Sequence, residues 1–156
     1  MSTRPEPADV APDPVDVVVV GGGIAGLAAA FALSRAGCTV RVLEQHPAYS
    51  ELGAGIQLAP NATSILRTWG LLDDITARGV LPQRAVLRDA IDGTELTHLD
   101  LIDAHHRYGA PYVLTRRSTL HTTLLHACHN AGVDLITNTT ATEVHQPPPD
   151  PAAATA

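Results

Sequence analysis

The sequence predicts an α/β fold: a parallel sheet with helices packed on it, and one small antiparallel hairpin. Three observations carry this. Residues 17–44, VVVVGGGIAGLAAAFALSRAGCTVRVLE, place an apolar run, a glycine cluster, a helical stretch and a second apolar run in βαβ order. A helix followed by a strand recurs at 118–136, and an Asp92-Gly93 pair marks a tight turn between two strand-like segments. With 156 residues, 45% of them hydrophobic, the chain is long enough to bury the core of one domain.

The elements follow in order. Val17 to Val20 reads as a strand buried on both faces, as parallel sheets require. Ala28 to Leu33 is strong helix material, and Gly37 closes that helix where a left-handed residue is wanted. Thr39 to Leu43 reads as the second strand, ending in Glu44; Gln45 to Gly53 is a loop, and Ala54 to Leu58 a short strand. Pro60 and Asn61 open a helix whose apolar face is Ile65, Leu66 and Trp69 and whose end is Gly70. Leu71 to Ala77 adds a short helical piece capped by Asp73 and Asp74. Arg84 to Leu101 is strand, turn and strand, with Val86 and Leu99 facing one side. His105 and His106 fall in a polar loop. Tyr112 to Thr115 is a further strand, and Ser118 to Ala131 a helix with Leu120, Leu124, Leu125 and Cys128 on one face and Gly132 at its end. Val133 to Ile136 is the next parallel strand, and Thr139 to His145 begins a meander. Proline-rich ends flank this region, so a disordered leader is expected over 1–14, the domain over 15–145, and a disordered Pro/Ala-rich tail over 146–156.

The glycines of G-x-G-x-x-G each have a physical task. Gly21 allows a sharp turn out of the strand, Gly23 allows the backbone to approach a pyrophosphate, and Gly26 allows the helix to pack directly on the sheet. The helix start offers unpaired N–H groups and the positive end of a dipole, which attract a diphosphate without a lysine. Glu44 stands near the expected distance of roughly 20 residues downstream, where an acid accepts hydrogen bonds from a ribose 2′-hydroxyl and repels a 2′-phosphate. The competing reading is a membrane span, since residues 17–33 carry no charge and Gly22-x-x-x-Gly26 imitates a helix-dimer motif. Three consecutive glycines and the short run oppose it.

Bulk properties exclude other classes. A net charge of -6, with no basic stripe, argues against a nucleic-acid partner. No membrane partner is expected either. The first 16 residues carry four prolines and four acids, which is not a signal-peptide pattern. Cys38 and Cys128 are far apart and read as free thiols in a reducing, cytoplasmic compartment. His126 and His129 share helical spacing, but no third ligand of sensible geometry accompanies them, so no metal site is expected.

The βαβ unit, followed by GAGIQLAPNA at 53–62 and VLTRRSTLHTTL at 113–124, resembles the N-terminal part of the FAD-dependent aromatic-ring monooxygenases, most of all the group containing salicylate hydroxylase. The resemblance spans most of residues 15–145. It implies a Rossmann-like FAD-binding βαβ fold, with the diphosphate at Gly21, Gly23 and Gly26, the adenosine ribose on Glu44, and Gln45 near the adenosine end. It implies that Gly55 passes close to the flavin, and that Arg117, with Arg116 as runner-up, contacts the cofactor. Gln57 lies where some members carry a polar residue acting on substrate; the alternative is an ordinary strand-face polar residue. No catalytic acid or base is evident. The resemblance implies NADH or NADPH as reductant and O2-dependent hydroxylation of a small aromatic substrate in the complete enzyme.

Two family signatures are missing, the Asp-Gly segment and the later Gly-Asp segment, together with the substrate-binding sheet. The resemblance therefore implies an incomplete, N-terminal fragment, from a truncated reading frame, a split gene or deliberate trimming. One edge of the all-valine strand would then lack a partner and favour association with a complementary chain. The chain alone is expected to be marginally stable, inactive, and to bind FAD weakly or not at all. Another FAD or NAD oxidoreductase of the same fold, and a non-catalytic nucleotide-binding remnant, remain as alternatives.

Overall fold

A computed structural model describes residues 13–49 and 53–145. Its framework is a parallel three-stranded sheet, β1 (Val17–Val20), β2 (Val40–Leu43) and β7 (Asp134–Ile136), in spatial order β1-β2-β7. Val17 pairs with Val40 and Val20 with Leu43, while Arg41 pairs with Asp134 and Leu43 with Ile136. Helix α1 (Ile24–Arg35) makes the crossover from β1 to β2. Gly37, at φ +93°, ends it in the left-handed conformation that the sequence anticipates.

Residues alternate across the sheet. Val17, Val19, Val40 and Val42 face the core with Leu27, Ala30 and Phe31 of α1. Helix α5 (Arg117–Asn130) packs against α1 and contributes Leu120, Leu124 and Cys128. The opposite face is open: Val18 is 51% and Val20 63% exposed. The expectation that β1 is buried on both faces is thus corrected. β1 lies at the edge of this sheet among the described residues, and one of its faces carries no covering element there.

Two antiparallel strand pairs and three further helices complete the described residues. β3 (Gly55–Leu58) pairs antiparallel with β6 (Val113–Arg116), so two segments more than fifty residues apart build one ribbon. α2 (Pro60–Thr68) starts at Pro60, as proline's fixed φ favours, and buries Thr63 and Leu66. Ile65, expected on its apolar face, is half exposed instead. Trp69, just past α2, meets Phe31 of α1 edge-to-face at 5.4 Å, a contact worth about 1 kcal/mol beyond its buried area. α3 (Leu72–Thr76) carries Asp73 and Asp74 in its first turn, where negative charge suits the dipole, although neither side chain caps it.

The hairpin of β4 (Arg84–Arg88) and β5 (Glu95–Asp100) forms around Asp92-Gly93, with Gly93 at φ +77°. Its register places Leu99 opposite Ala85 and Val86 opposite His98, so Val86 and Leu99 point to opposite faces, against expectation. Both strands are exposed along their whole length.

Two further expectations fail. The segment holding His105 and His106 is not a loop but helix α4 (Leu101–Tyr108). Asp100 caps it, accepting from the Ile102 and Asp103 N–H groups at 2.9 Å, and Gly109 closes it at φ +67°. Residues 139–145 form no strand, so the meander does not begin there. The expected leader, apart from residues 13 and 14, and the whole of the expected tail lie outside the described residues. No helix among the described residues is long and apolar enough to cross a membrane.

Candidate functional site

Parallel strands deliver their C-terminal ends to one rim, and five of the residues singled out in the sequence meet there: Gly21, Gly23, Gly26, Glu44 and Gln45. β1 ends at Val20, and Gly21, at φ +100°, turns the chain while donating its N–H to the Leu43 carbonyl at 2.8 Å. Only glycine holds that conformation at little cost. A β-carbon on Gly26 would drive into the Gly21 carbonyl oxygen, so the absence of a side chain is what lets α1 start against β1. Gly23 is the N-cap of α1. Nothing lies within 4 Å of where its β-carbon would stand, no side chain caps the helix, and its first turn holds no acid. The helix start is therefore open and electropositive, the condition for receiving a phosphate.

Glu44, immediately after β2, turns its carboxylate onto this loop. Oε2 accepts the Gly22 N–H at 2.7 Å, and Oε1 accepts the His46 N–H at 2.9 Å and contacts His46 Nδ1 at 2.6 Å. These bonds, those from the His46 and Gly22 backbones foremost, hold its pKa down at about 2. The group is an anion across the physiological range. A carboxylate has about four acceptor positions, so three contacts leave room for another donor. The His46 side chain is largely solvated.

Two cavities of about 190 Å³ flank Glu44. One is lined by Gly21, Gln45 and Thr139 to Ala141, the other by Gly22, Gly23, Gln45, Tyr49 and His121. Gln45 is exposed and borders both. Residues 138–139 are tied to this rim by the Asn138 and Thr139 N–H groups, which donate to the His46 and Glu44 carbonyls at 2.9 Å.

Gly55 and Arg117 form a second group. Gly55 pairs with Arg116 in the β3–β6 ribbon, and Arg117 opens α5 with its side chain lying across Gly53, 2.9 Å from where a β-carbon there would stand. Arg116 is the N-cap of that helix and, like Arg117, is exposed. One helical turn beyond Arg117, His121 touches the glycine loop: its Nε2 lies 2.8 Å from the Gly22 carbonyl. Positions four apart share a helix face, so α5 brings the two groups toward each other. His121 was not among the residues the sequence singled out. The available signal was a polar residue on the buried stripe of α5, seven before Cys128 and one after Leu120.

Gln57 is exposed on β3 and accepts a hydrogen bond from the Tyr112 hydroxyl at 2.5 Å. Tyr112 in turn borders a larger cavity of about 610 Å³, lined also by Arg67, Leu72, Leu101, His105 and Pro111. His126 and His129 are exposed, and no group of three His, Cys, Asp or Glu side chains among the described residues is placed to hold a metal ion.

Residues 14–155 match the model of a family described as FAD binding domain. The chain belongs to that family. A 3-hydroxybenzoate 6-hydroxylase of Polaromonas naphthalenivorans is 41% identical over 137 residues, 86% of this chain and 34% of the relative. A 6-hydroxynicotinate 3-monooxygenase of Bordetella bronchiseptica is 42% identical over 106 residues, 67% of this chain and 28% of the relative. Among solved structures, p-nitrophenol 4-monooxygenase from Pseudomonas putida aligns with a TM-score of 0.76 at 26% identity, over 83% of this chain and 33% of that one. The tetrameric form of 2-methyl-3-hydroxypyridine-5-carboxylic acid oxygenase aligns at 0.67 and 31% identity, over 78% and 30%. The chain thus spans about a third of the length of the relatives it matches. It is an FAD-binding domain, similar to those of the aromatic hydroxylases above, and its cofactor is FAD. The open helix start, the space at Gly23 and the spare acceptor capacity of Glu44 fit a dinucleotide.

Proposed function

We propose that residues 15–145 hold the adenosine and diphosphate half of FAD for a monooxygenase that hydroxylates a small aromatic substrate with NADH or NADPH and O2. The observation that carries this is the pairing of an uncapped, acid-free α1 start with a carboxylate, Glu44, clamped beside it. In this reading the N–H groups at the start of α1 take the diphosphate, Glu44 takes the ribose hydroxyls, and Gln45 borders the adenosine. Gly55 leaves room for the ring, and Arg117 reaches the cofactor from the start of α5. FAD supplies the redox chemistry when bound. The protein's share is to bind, orient and shield it from water. The cytoplasm is the proposed location, in keeping with Cys38 and Cys128, which are both free thiols.

We further read the exposed face of β1 and the uncovered hairpin as surfaces that a complementary polypeptide covers. Val18, Val20, Leu87, Leu96 and Leu99, each more than half exposed, support this. The test is to express the chain alone and together with the remaining two-thirds of a relative, and to record the flavin spectrum and NAD(P)H-dependent hydroxylation of hydroxybenzoates. A yellow, active complex is expected only on co-expression. A colourless, inactive mixture in which both parts are folded would overturn the reading.

A further inference from the structure

We infer that His121 is a positioning residue that sets the direction of the Gly23 N–H, resting on the FAD reading above for its purpose. The Gly22 carbonyl is an acceptor, so His121 must donate from Nε2, across 2.8 Å. His121 is 3% exposed, and the bond joins positions 99 residues apart. It is therefore shielded from competing water and ties α5 directly to the loop.

The consequence follows from the planarity of the trans peptide. The Gly22 carbonyl and the Gly23 N–H belong to one peptide plane and point in opposite directions. Pinning the carbonyl toward α5 turns the Gly23 N–H away from α5, and the space where a Gly23 β-carbon would stand is open. The adjoining plane is fixed independently, because the Gly22 N–H is held by Glu44 Oε2 at 2.7 Å. The Tyr49 ring occupies the place of a Gly22 side chain and closes the third side. Gly22 is the unspecified second position of the motif, yet it is held by Glu44, His121 and Tyr49. Glycine's broad conformational freedom would otherwise let this peptide flip. His121 removes that freedom before any ligand arrives, which lowers the ordering cost of binding.

The test measures the ligand-free chain first. Amide hydrogen exchange of the segment spanning Gly21 to Ala25 is compared in the 156-residue chain and its His121→Leu, His121→Gln and His121→Asn forms. FAD affinity is then measured by flavin fluorescence. Leucine removes the donor, glutamine keeps an N–H at a similar reach, and asparagine keeps an amide that falls short. His121→Leu and His121→Asn are expected to speed exchange of this segment about tenfold and weaken FAD by about the same factor, the effect of one buried hydrogen bond. His121→Gln is expected to restore both to within about threefold, a rescue that packing alone does not predict. Unchanged exchange in His121→Asn, or a glutamine form no better than asparagine, would overturn the inference, and this pair decides even where the leucine form does not fold. Should the exchange pattern hold while no form binds FAD, the positioning role stands and the cofactor reading falls.

Discussion

Glu44→Gln separates the electrostatic part of the site from its shape. The Glu44 carboxyl is held from an ordinary 4.5 down to about 2 by hydrogen bonds from the His46 backbone, the Gly22 backbone and the His46 ring. At about 1.4 kcal/mol per pH unit the interval corresponds to about 3 kcal/mol. The carboxylate faces an open groove and its His46 partner is solvated, so screening reduces this to about 1–2 kcal/mol. The folded pKa is lower than the unfolded one. The stabilisation is therefore complete above about 4.5 and disappears as pH falls toward 2. Urea unfolding of the native chain and of Glu44→Gln at a series of pH values is the assay. The native chain is expected to be more stable by about 1–2 kcal/mol at pH 6, and the gap is expected to narrow steadily below pH 4.5. The comparison cancels other carboxylates with lowered pKa values, such as Asp16 and Asp100. A gap of constant size from pH 6 to pH 3, or no gap at pH 6, would refute the assignment of this ionic contact.

Further outcomes follow from the same geometry. Gly26→Ala drives a methyl group into the Gly21 carbonyl and is expected to cost about 3 kcal/mol, read as a lower urea midpoint with unchanged slope. Gly55→Ala meets only the Thr115 carbonyl, at an ordinary 3.6 Å, so its thermal midpoint should match the native chain while its FAD affinity drops; equal loss of both would point to a structural role alone. Burial pushes the Cys128 thiol up to about 11, so iodoacetamide at pH 8 should label the half-buried Cys38 well before Cys128, which becomes reactive only on unfolding.

How far the sequence carried these expectations differs from element to element. The βαβ unit was legible because the determinants are local: glycines where φ is positive or approach is close, a helical run between, an acid at the end of the second strand. The burial of β1 was not, because four valines look alike in sequence while two face the core and two face solvent. Which face is covered depends on elements distant in the chain. Helix α4 was legible in principle, since Asp100 and Gly109 bracket it, but its polar content, with adjacent histidines, masked the period. The pairing of β3 with β6 and the hairpin's facing depend on register, and a one-residue difference there reverses every side chain. Within the site, Gly21, Gly23, Gly26 and Glu44 converge at one rim as the motif spacing implies, and Gln45, singled out through the family resemblance, lies beside them. His121 escaped notice because its partner is the carbonyl of a glycine 99 residues away, a contact that no spacing encodes.

The decisive measurement is a calorimetric titration of the chain with FAD, with ADP and FMN as competitors. FAD is expected to bind at one site with a Kd on the order of 10–100 μM, about 6 kcal/mol, since most of the contacts provided are on the adenosine and diphosphate side. ADP should displace it and FMN should not. Displacement by FMN with indifference to ADP would place the binding energy on the flavin end and contradict the role given to Glu44 and the start of α1.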